Sequence, residues 1–595
     1  MGQKPDNLLE LLHRLWNHFS TRRKGQFGLL LGLMVLASFA EILSIGSVLP
    51  FLAVLTDPQR IFEFHLTQPL IKALGISNAS QLLLPLTAAF CITAVFAAAI
   101  RLLLLRSSLF LAAATGSDIG YDMYRRTLYQ PYSVHVSRNT SEIIDGISIK
   151  STAIANGIVM PLLYILSSAI MTGLIVCILL ALAPETTLIA FSIFGLIYMA
   201  VIKLTRKQLL IDSKNIAYES TQVIKSLQEG LGGIRDVLID GTQNTFCRIY
   251  QKSDFVLRRS YASSSFISVS PRFAVEALGM LLIALLAYIM AEQPNGVAKA
   301  VPILGALALA AQRLLPLMQQ AYSSWSNLRQ NQYSLKDTLE FLDQSLPDNH
   351  DDDSILPIAF SKDIILDNVS FSYSVDAGLI LRQLNLTIPK GSRFGFIGET
   401  GSGKSTLLDI IMGLLQPTSG ELRVDDKKIS SNNLRAWQKH VAHVPQNIFL
   451  ADGTISENIA FGLPKEQINE ERVHQAAKQA QIHDIIQKLP NDYRTLVGER
   501  GVRLSGGQRQ RLGIARAIYK QADVIIFDEA TSALDSDTEK AVMEAIDRLS
   551  SDLTILIIAH RLSTLKNCSS IVRLDKGKIS TVGSYEEIIE ASRQK

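Results

Sequence analysis

Six long apolar runs, at about 26–55, 82–115, 151–182, 187–210, 266–291 and 298–325, dominate the first part of the chain. Each is long enough to carry a helix across a hydrocarbon core, which takes about 20 residues. The polar stretches 116–150 and 211–262 keep a helical spacing of apolar positions and are too long for turns, so they predict helices that continue out of the bilayer. Further on the pattern changes: short apolar strands, FGFI and VIIF, and the helix-like LLDIIMGLL have the character of a soluble α/β enzyme. Between the two regimes lies DQSLPDNHDDDSIL, acidic and containing Pro and Asn. The expected organisation is a six-span α-helical membrane domain over 1–342, a linker over 343–358 and an α/β P-loop domain over 359–595.

Composition agrees with a chain partly in lipid. Of its 595 residues 48% are hydrophobic, and the mean hydropathy is +0.22, too apolar for an ordinary soluble protein of several domains. A net charge of only +4 gives no support to nucleic acid as a partner. Cys91, Cys177, Cys247 and Cys568 are scattered, with no CxxC spacing, and read as reduced structural thiols. The amino terminus is polar through Lys24 and has no small-residue cleavage site, so the first apolar run is expected to stay as an anchor.

Basic residues set the orientation. Arg22, Arg23 and Lys24 precede span one; Arg125, Arg126, Arg138 and Lys150 lie between spans two and three; a third group from Lys203 to Arg259 lies between four and five. The opposite loops hold only Arg60, Lys72 and Lys299. Both termini and the second domain are therefore expected on the cytoplasmic side of an inner plasma membrane. The first outer connection contains FEFHLTQPLIKALGI, which reads as a short interfacial amphipathic helix or as a packed surface loop.

The chemistry lies in the second domain. Gly398, Glu399, Thr400, Gly401, Ser402, Gly403, Lys404, Ser405 and Thr406 form GETGSGKST between a strand and a helix, the context a phosphate loop requires. Its glycines let backbone N–H groups curl round phosphate oxygens at a helix N-terminus, Lys404 adds a positive charge, and the Ser405 hydroxyl suits Mg2+. VIIF ends in Asp528 and Glu529, two carboxylates at the carboxyl end of a buried strand, one placed to hold the metal and one to polarise water.

Between these motifs sits Leu504-Ser505-Gly506-Gly507-Gln508, LSGGQ, and with it the whole chain resembles an ABC exporter half-transporter. The resemblance extends to Tyr373 in FSY as the adenine-stacking aromatic, Gln446 in VPQ as the Q-loop, GERG at 498–501, Asp535 in SALD as the D-loop and His560 in IIAHR as the switch histidine. It implies ATP and Mg2+ as cofactors, with Ser405, Gln446 and Asp528 around the metal. It also implies two copies in a homodimer, each LSGGQ closing over the nucleotide held by its partner. Hydrolysis would then rest on Lys404, Gln446, Glu529 and His560. Coupling helices are expected near 131–141 and 229–241, fitting grooves beside the Q-loop.

Charged groups inside spans are costly and mark pathways or internal pairs. Glu41 lies in span one, Arg101 and Arg106 in span two, Arg272 and Glu276 in span five, and Gln312, Arg313, Gln319 and Gln320 in span six. Arg272 and Glu276 are spaced to neutralise each other. Arg101, Arg106 and Arg313 are the candidate anion-receiving residues, the alternative being that they snorkel or pair structurally. EILSIGSVLPFLAVL and ALAAQRLLPLMQQ look like segments of exporters of lipid-linked oligosaccharide, polysaccharide or glycolipid. An amphiphilic glycolipid drawn from membrane lipid is thus the expected cargo, with a multidrug, peptide or lipid A-type exporter as the alternative.

Overall fold

The computed structural model describes residues 7–56, 62, 78–182, 184–291, 296–347, 355–374, 378–529, 539, 543–544, 546–547, 552–559 and 561–593. It divides into two compact units, Met1–Gln130 with Arg138–Asp348 and Pro131–Ser137 with Asn349–Lys595. The expected interfacial helix at 62–76, apart from Phe62, lies outside the described residues, as do Asp535, His560 and the side chain of Arg313.

The first unit is helical. It opens with α1 (Leu8–His18), capped by Asn7, whose side chain accepts from Leu9 N–H, with Leu8, Leu11 and Leu15 buried on one face. Then follow α2 (Thr21–Thr56) and α3 (Leu83–Leu128), which pack along each other. After the short α4 (Tyr132–Ser137), which belongs to the second unit, come α5 (Thr140–Asp145), α6 (Ser151–Ile154) and α7 (Met160–Leu182). Single π turns at Gly146–Lys150 and Ala155–Val159 join these three into one rod. The unit ends with α8 (Pro184–Gly232), α9 (Ile234–Ile239), α10 (Gln243–Ala291), α11 (Gly296–Gln330) and α12 (Gln332–Leu342). Each of the six apolar runs therefore falls within a long helix or the rod. Among the described residues three stretches, Thr21–Ser44, Leu83–Leu128 and Thr140–Ile178, are long and apolar enough by themselves to cross a membrane.

Leu11, Met34, Met123, Ile158, Leu335 and Leu339 make one core where α1, α2, α3, the rod and α12 meet. Beside it Asp145 is wholly buried. It accepts from Ser220 and from Thr221 at 2.6 Å, and Lys150 lies 3.3 Å away while also binding Asp337 at 2.5 Å. A buried carboxylate is tolerable only with such partners, and these tie α5, α8 and α12 together.

The second unit holds β1 (Asp363–Phe371), β2 (Leu381–Pro389), β3 (Arg393–Ile397), α13 (Lys404–Ile411), β4 (Ser419–Val424), β5 (Lys427–Lys428), α14 (Leu434–Gln438) and β6 (Val441–Val444). It continues with α15 (Ile455–Ile459), α16 (Glu470–Gln479), α17 (His483–Gln487), α18 (Gly506–Tyr519), β7 (Val524–Asp528), β8 (Thr554–Ile558), β9 (Ser570–Asp575), β10 (Lys578–Gly583) and α19 (Tyr585–Arg593). An antiparallel sheet runs β2-β1-β4-β5, and a larger one runs β10-β9-β3-β8-β7-β6, with β9, β3, β8, β7 and β6 parallel. The parallel strands are buried on both faces. Ile525 and Phe527 enter one core and Val524 and Ile526 the other, which is why VIIF is apolar throughout rather than alternating.

Candidate functional site

The order of the parallel sheet assembles the site. β3 ends at Ile397, directly before Gly398; β8 ends at Ile558, two residues before His560; β7 ends at Asp528; β6 ends at Val444, two residues before Gln446. These four strands are neighbours, with Phe396 paired to Ile558, Ile558 to Asp528, and Phe527 to Val444. Motifs spread over more than a hundred residues thus emerge at one carboxyl edge, where open α/β sheets bind ligands.

Three glycines shape the loop after β3. Gly398, Gly401 and Gly403 have φ of +154°, +84° and +101°, conformations that side chains rarely adopt. Lys404, nearly buried, donates from Nζ to the carbonyls of Gly398 at 2.9 Å and Glu399 at 3.0 Å. Ser402 Oγ is buried without a hydrogen-bond partner, and the loop is pinned from behind by Gly577 N–H donating to the Ser402 carbonyl at 3.2 Å. A buried hydroxyl, a lysine and the open N-terminus of α13 are matched to phosphate oxygens.

Tyr373 is half exposed, sits edge-on to Phe371 at 4.9 Å between ring centroids, and its OH lies 3.3 Å from Thr406 Oγ1. The Tyr373 hydroxyl thus reaches the helix that carries the phosphate loop. Asp409, a residue the motifs did not single out, lies on α13 close to Asp528. Burial pushes its carboxyl up to about 6, and the Asp528 charge adds to the rise. Ser405, Gln446 and Asp528 offer oxygen donors only, a set that suits a hard divalent cation such as Mg2+. Glu529 holds φ at +48°, and its N–H donates to the Ile558 carbonyl at 3.2 Å.

LSGGQ opens α18. Ser505 is the N-cap: its Oγ accepts from Gln508 N–H at 3.3 Å, and Gln508 Oε1 accepts from Ser505 N–H at 3.0 Å. This capping box leaves Gly506 exposed, with nothing within 4 Å of a Cβ built on it.

Two further features border the site. Helix α4 belongs to the same compact unit, and the Tyr132 phenol is pushed up by burial and by the nearby Asp409 and Tyr373. A groove of about 730 Å³ runs between Met412, His443, Phe461, Arg516 and Tyr519. In it Arg516 lies 4.4 Å over the Phe461 ring and donates to the carbonyls of Asn458 and Phe449, while burial pulls its guanidinium down to about 10.

In the membrane helices the arginines are not alike. Arg101 forms an ion pair with the buried Glu41 at 2.7 Å, the same kind of neutralisation expected of Arg272 and Glu276, which also pair at 2.7 Å. Arg106 lies over the ring of Phe110 at 5.5 Å.

A helical membrane unit joined in one chain to a P-loop ATPase unit with LSGGQ capping a helix defines the class of ATP-driven membrane transporters. Comparisons with known proteins agree. The profile of the ABC transporter transmembrane region matches residues 31–292, and the ABC transporter profile matches 381–532. The chain is 33% identical over 408 residues to an ATP-dependent lipid A-core flippase of Chromohalobacter salexigens, covering 68% of this chain and 69% of that one. It is 39% identical over 260 residues to ABC transporter B family member 1 of Arabidopsis thaliana, covering 43% of this chain but only 20% of that protein's length. The fold is similar to the solved structure of a bacterial Atm1-family ABC exporter with ATP bound, with a TM-score of 0.75 and 22% identity over 93% of this chain and 95% of that one. The chain belongs to the ABC transporter family. Its second unit is an ABC ATPase domain and binds ATP.

Proposed function

We propose that two copies of this chain form an ATP-driven exporter that moves an amphiphilic lipid from the cytoplasmic to the outer side of the membrane. The observation that carries the lipid cargo is the likeness to a lipid A-core flippase, which at 408 residues is far longer than the ATPase domain alone. Among the cargo classes the sequence offers, this favours a lipid A-type amphiphile over a lipid-linked oligosaccharide. In this reading Lys404 and the loop N–H groups hold the β- and γ-phosphates, and Tyr373 stacks on the adenine. Ser405, Asp528 and Gln446 hold Mg2+, which neutralises phosphate charge when bound. Glu529 orients the attacking water, with His560 beside the γ-phosphate. Ser505, Gly506, Gly507, Gln508 and Asp535 of each copy face the nucleotide held by the other.

Coupling is assigned to the stretches 131–141, which holds α4, and 229–241, which holds α9. ATP binding then closes the ATPase domains and rocks the membrane helices outward. Arg101 and Arg313 are proposed to meet the anionic headgroup, Arg101 by exchanging Glu41 for a phosphate.

The test is proteoliposome flipping of fluorescent lipid A beside a fluorescent polyprenyl-pyrophosphate oligosaccharide, with Glu529→Gln as the control. ATP-dependent movement of lipid A alone supports the proposal. ATP hydrolysis with neither lipid moved, while a hydrophobic dye is exported, replaces it by a drug-type exporter.

A further inference from the structure

The chain enters the ATPase domain along 355–360, a stretch outside the sheets just ahead of β1. Side chains satisfy its carbonyls where a strand partner would otherwise do so. Lys439 Nζ donates to the Ile355 carbonyl, Lys390 Nζ donates to that of Phe360 at 2.9 Å, and between them the His440 ring meets the carbonyl of Ile358. Phe360 is buried and stands edge-on to Trp437 and His440, at 5.7 and 6.2 Å between ring centroids, while Trp437 stacks on His440 at 6.0 Å. The His440 carbonyl accepts from Val524 N–H at 2.9 Å, so the ring is based where β6 and β7 begin.

Both nitrogens of this ring face acceptors. Nε2 lies 2.6 Å from the Ile358 carbonyl oxygen, and Nδ1 is bonded to the Asp523 carboxylate. A carbonyl and a carboxylate accept and do not donate. A neutral imidazole has a single N–H and would turn a lone pair toward one of these oxygens, whereas the imidazolium serves both. When the ring loses a proton, the remaining N–H stays with the carboxylate, the stronger acceptor, and the bond that breaks is the one to Ile358. The other charged groups around the ring and the segment come from several elements. Lys439 and Lys390 hold the same segment, and Asp425 accepts from Ser361 and Lys362 N–H. Lys520 donates to the Gln438 carbonyl at 2.8 Å and to that of Val441. Arg472 and Asp552 line, with Lys390 and Asp523, a cavity of about 450 Å³.

We infer that His440 is a proton-operated latch on the connection between the two domains. As the imidazolium it fastens 355–360 to the ATPase domain; on losing its Nε2 proton it releases Ile358 and keeps Asp523. Protonation thereby sets how much of the connection ahead of β1 is held down. The latch depends neither on the cargo nor on pairing of two copies.

The test places a nitroxide at the exposed Leu356, as Leu356→Cys, in the full-length chain with its four native cysteines changed to serine. Between about pH 5.5 and pH 8.5, where imidazoles change charge, the ratio of mobile to immobile label should rise about tenfold, the effect of losing one charge-assisted hydrogen bond. In Asp523→Asn the amide can donate to Nδ1, which lets a neutral ring keep its N–H on Ile358, so the label should stay immobile at both pH values. In His440→Gln it should be mobile at both. ATP binding by each variant verifies folding. Equal mobility of the native chain at the two pH values overturns the inference. A label mobile at both in Asp523→Asn also overturns it, because Asp523 would then be a structural support. So does a pH response that survives His440→Gln, which would assign it to Asp425 or to one of the lysines.

Discussion

The Tyr322 hydroxyl donates to the carbonyl of Ile267 at 3.1 Å. Four residues beyond Ile267 stands Pro271, inside α10, and proline has no N–H to give that carbonyl its usual partner. Gln319 Nε2 donates to the next carbonyl, Ser268, at 3.0 Å, and its Oε1 accepts from Tyr198 OH at 3.2 Å. The break in α10 is thus satisfied from α11 and linked to α8, as a helix in lipid requires. Tyr322→Phe should cost about 1 kcal/mol in the native chain. In a Pro271→Ala background, where the helix supplies its own donor, the cost should fall to less than half. Thermal unfolding of the four proteins in detergent measures the cycle; an unchanged cost would show that the Tyr322 hydroxyl stabilises through another partner, such as Thr205 Oγ1 at 3.4 Å, rather than through the Ile267 carbonyl.

Gly398 should tolerate no side chain. A Cβ there would stand 2.4 Å from the Leu574 carbonyl oxygen, a backbone atom that cannot swing aside, and φ is +154°. A Cβ at Gly401 meets nothing within 4 Å, so only its φ of +84° opposes substitution. Gly398→Ala should lower ATP affinity by tenfold or more, roughly the cost of displacing a strained loop, and Gly401→Ala by less. Fluorescent-nucleotide titration ranks them.

Much of this was legible in the sequence because the signals are local. Strand, GETGSGKST and helix are contiguous, and the six apolar runs announce themselves by length. What was not legible depends on distant partners. Arg101 reads either as an anion-receiving residue or as half of a structural pair until Glu41, sixty residues earlier, is found beside it. Gln319 reads as a cavity group in span six until Pro271 supplies its reason. Asp409 has no motif of its own, and only the placement of α13 beside the end of β7 brings it to Asp528. That Pro131–Ser137 joins the second unit is likewise a matter of tertiary packing, although its stretch was expected to couple the domains.

Burial pushes the Cys568 thiol up to about 12, with Arg393 pulling it down and Asp547 raising it. At pH 8 roughly one molecule in ten thousand carries the thiolate that alkylating reagents attack. Cys247 is exposed on α10. Iodoacetamide at pH 8 should label Cys247 well before Cys568, and peptide mass spectrometry over time reads the order. Comparable rates would mean that the last strands open readily.

Asp343 joins α12 to α1 by accepting from Arg14 and, at 2.8 Å, from His18. Burial would raise its carboxyl, but these bonds outweigh burial and hold it below the ordinary carboxylate range. A carboxylate depressed on folding stabilises above its unfolded pKa, about 4, and that stability fades as pH falls through the lower folded value. Asp343→Asn should therefore lower the melting temperature at pH 7 and have a shrinking effect below pH 4. The pair is partly solvated, so its worth is under about 1 kcal/mol. An equal melting-temperature deficit at both pH values would assign the effect to shape rather than charge.

The two π turns in the rod from Thr140 to Leu182 act like extra threads on a screw. One residue advances an α-helix by about 100°, so each additional residue in a widened turn resets the angular position of everything beyond it. After Gly146–Lys150 and Ala155–Val159 the offset has reached about 200°, more than half a revolution. A side chain in Met160–Leu182 therefore faces nearly opposite the direction that the spacing of Thr140–Asp145 would extrapolate to. Deleting a single residue from either turn would let it close to an ordinary α turn and leave the membrane stretch facing as it does, whereas the same deletion within Thr140–Asp145 would wind that stretch round by about 100°.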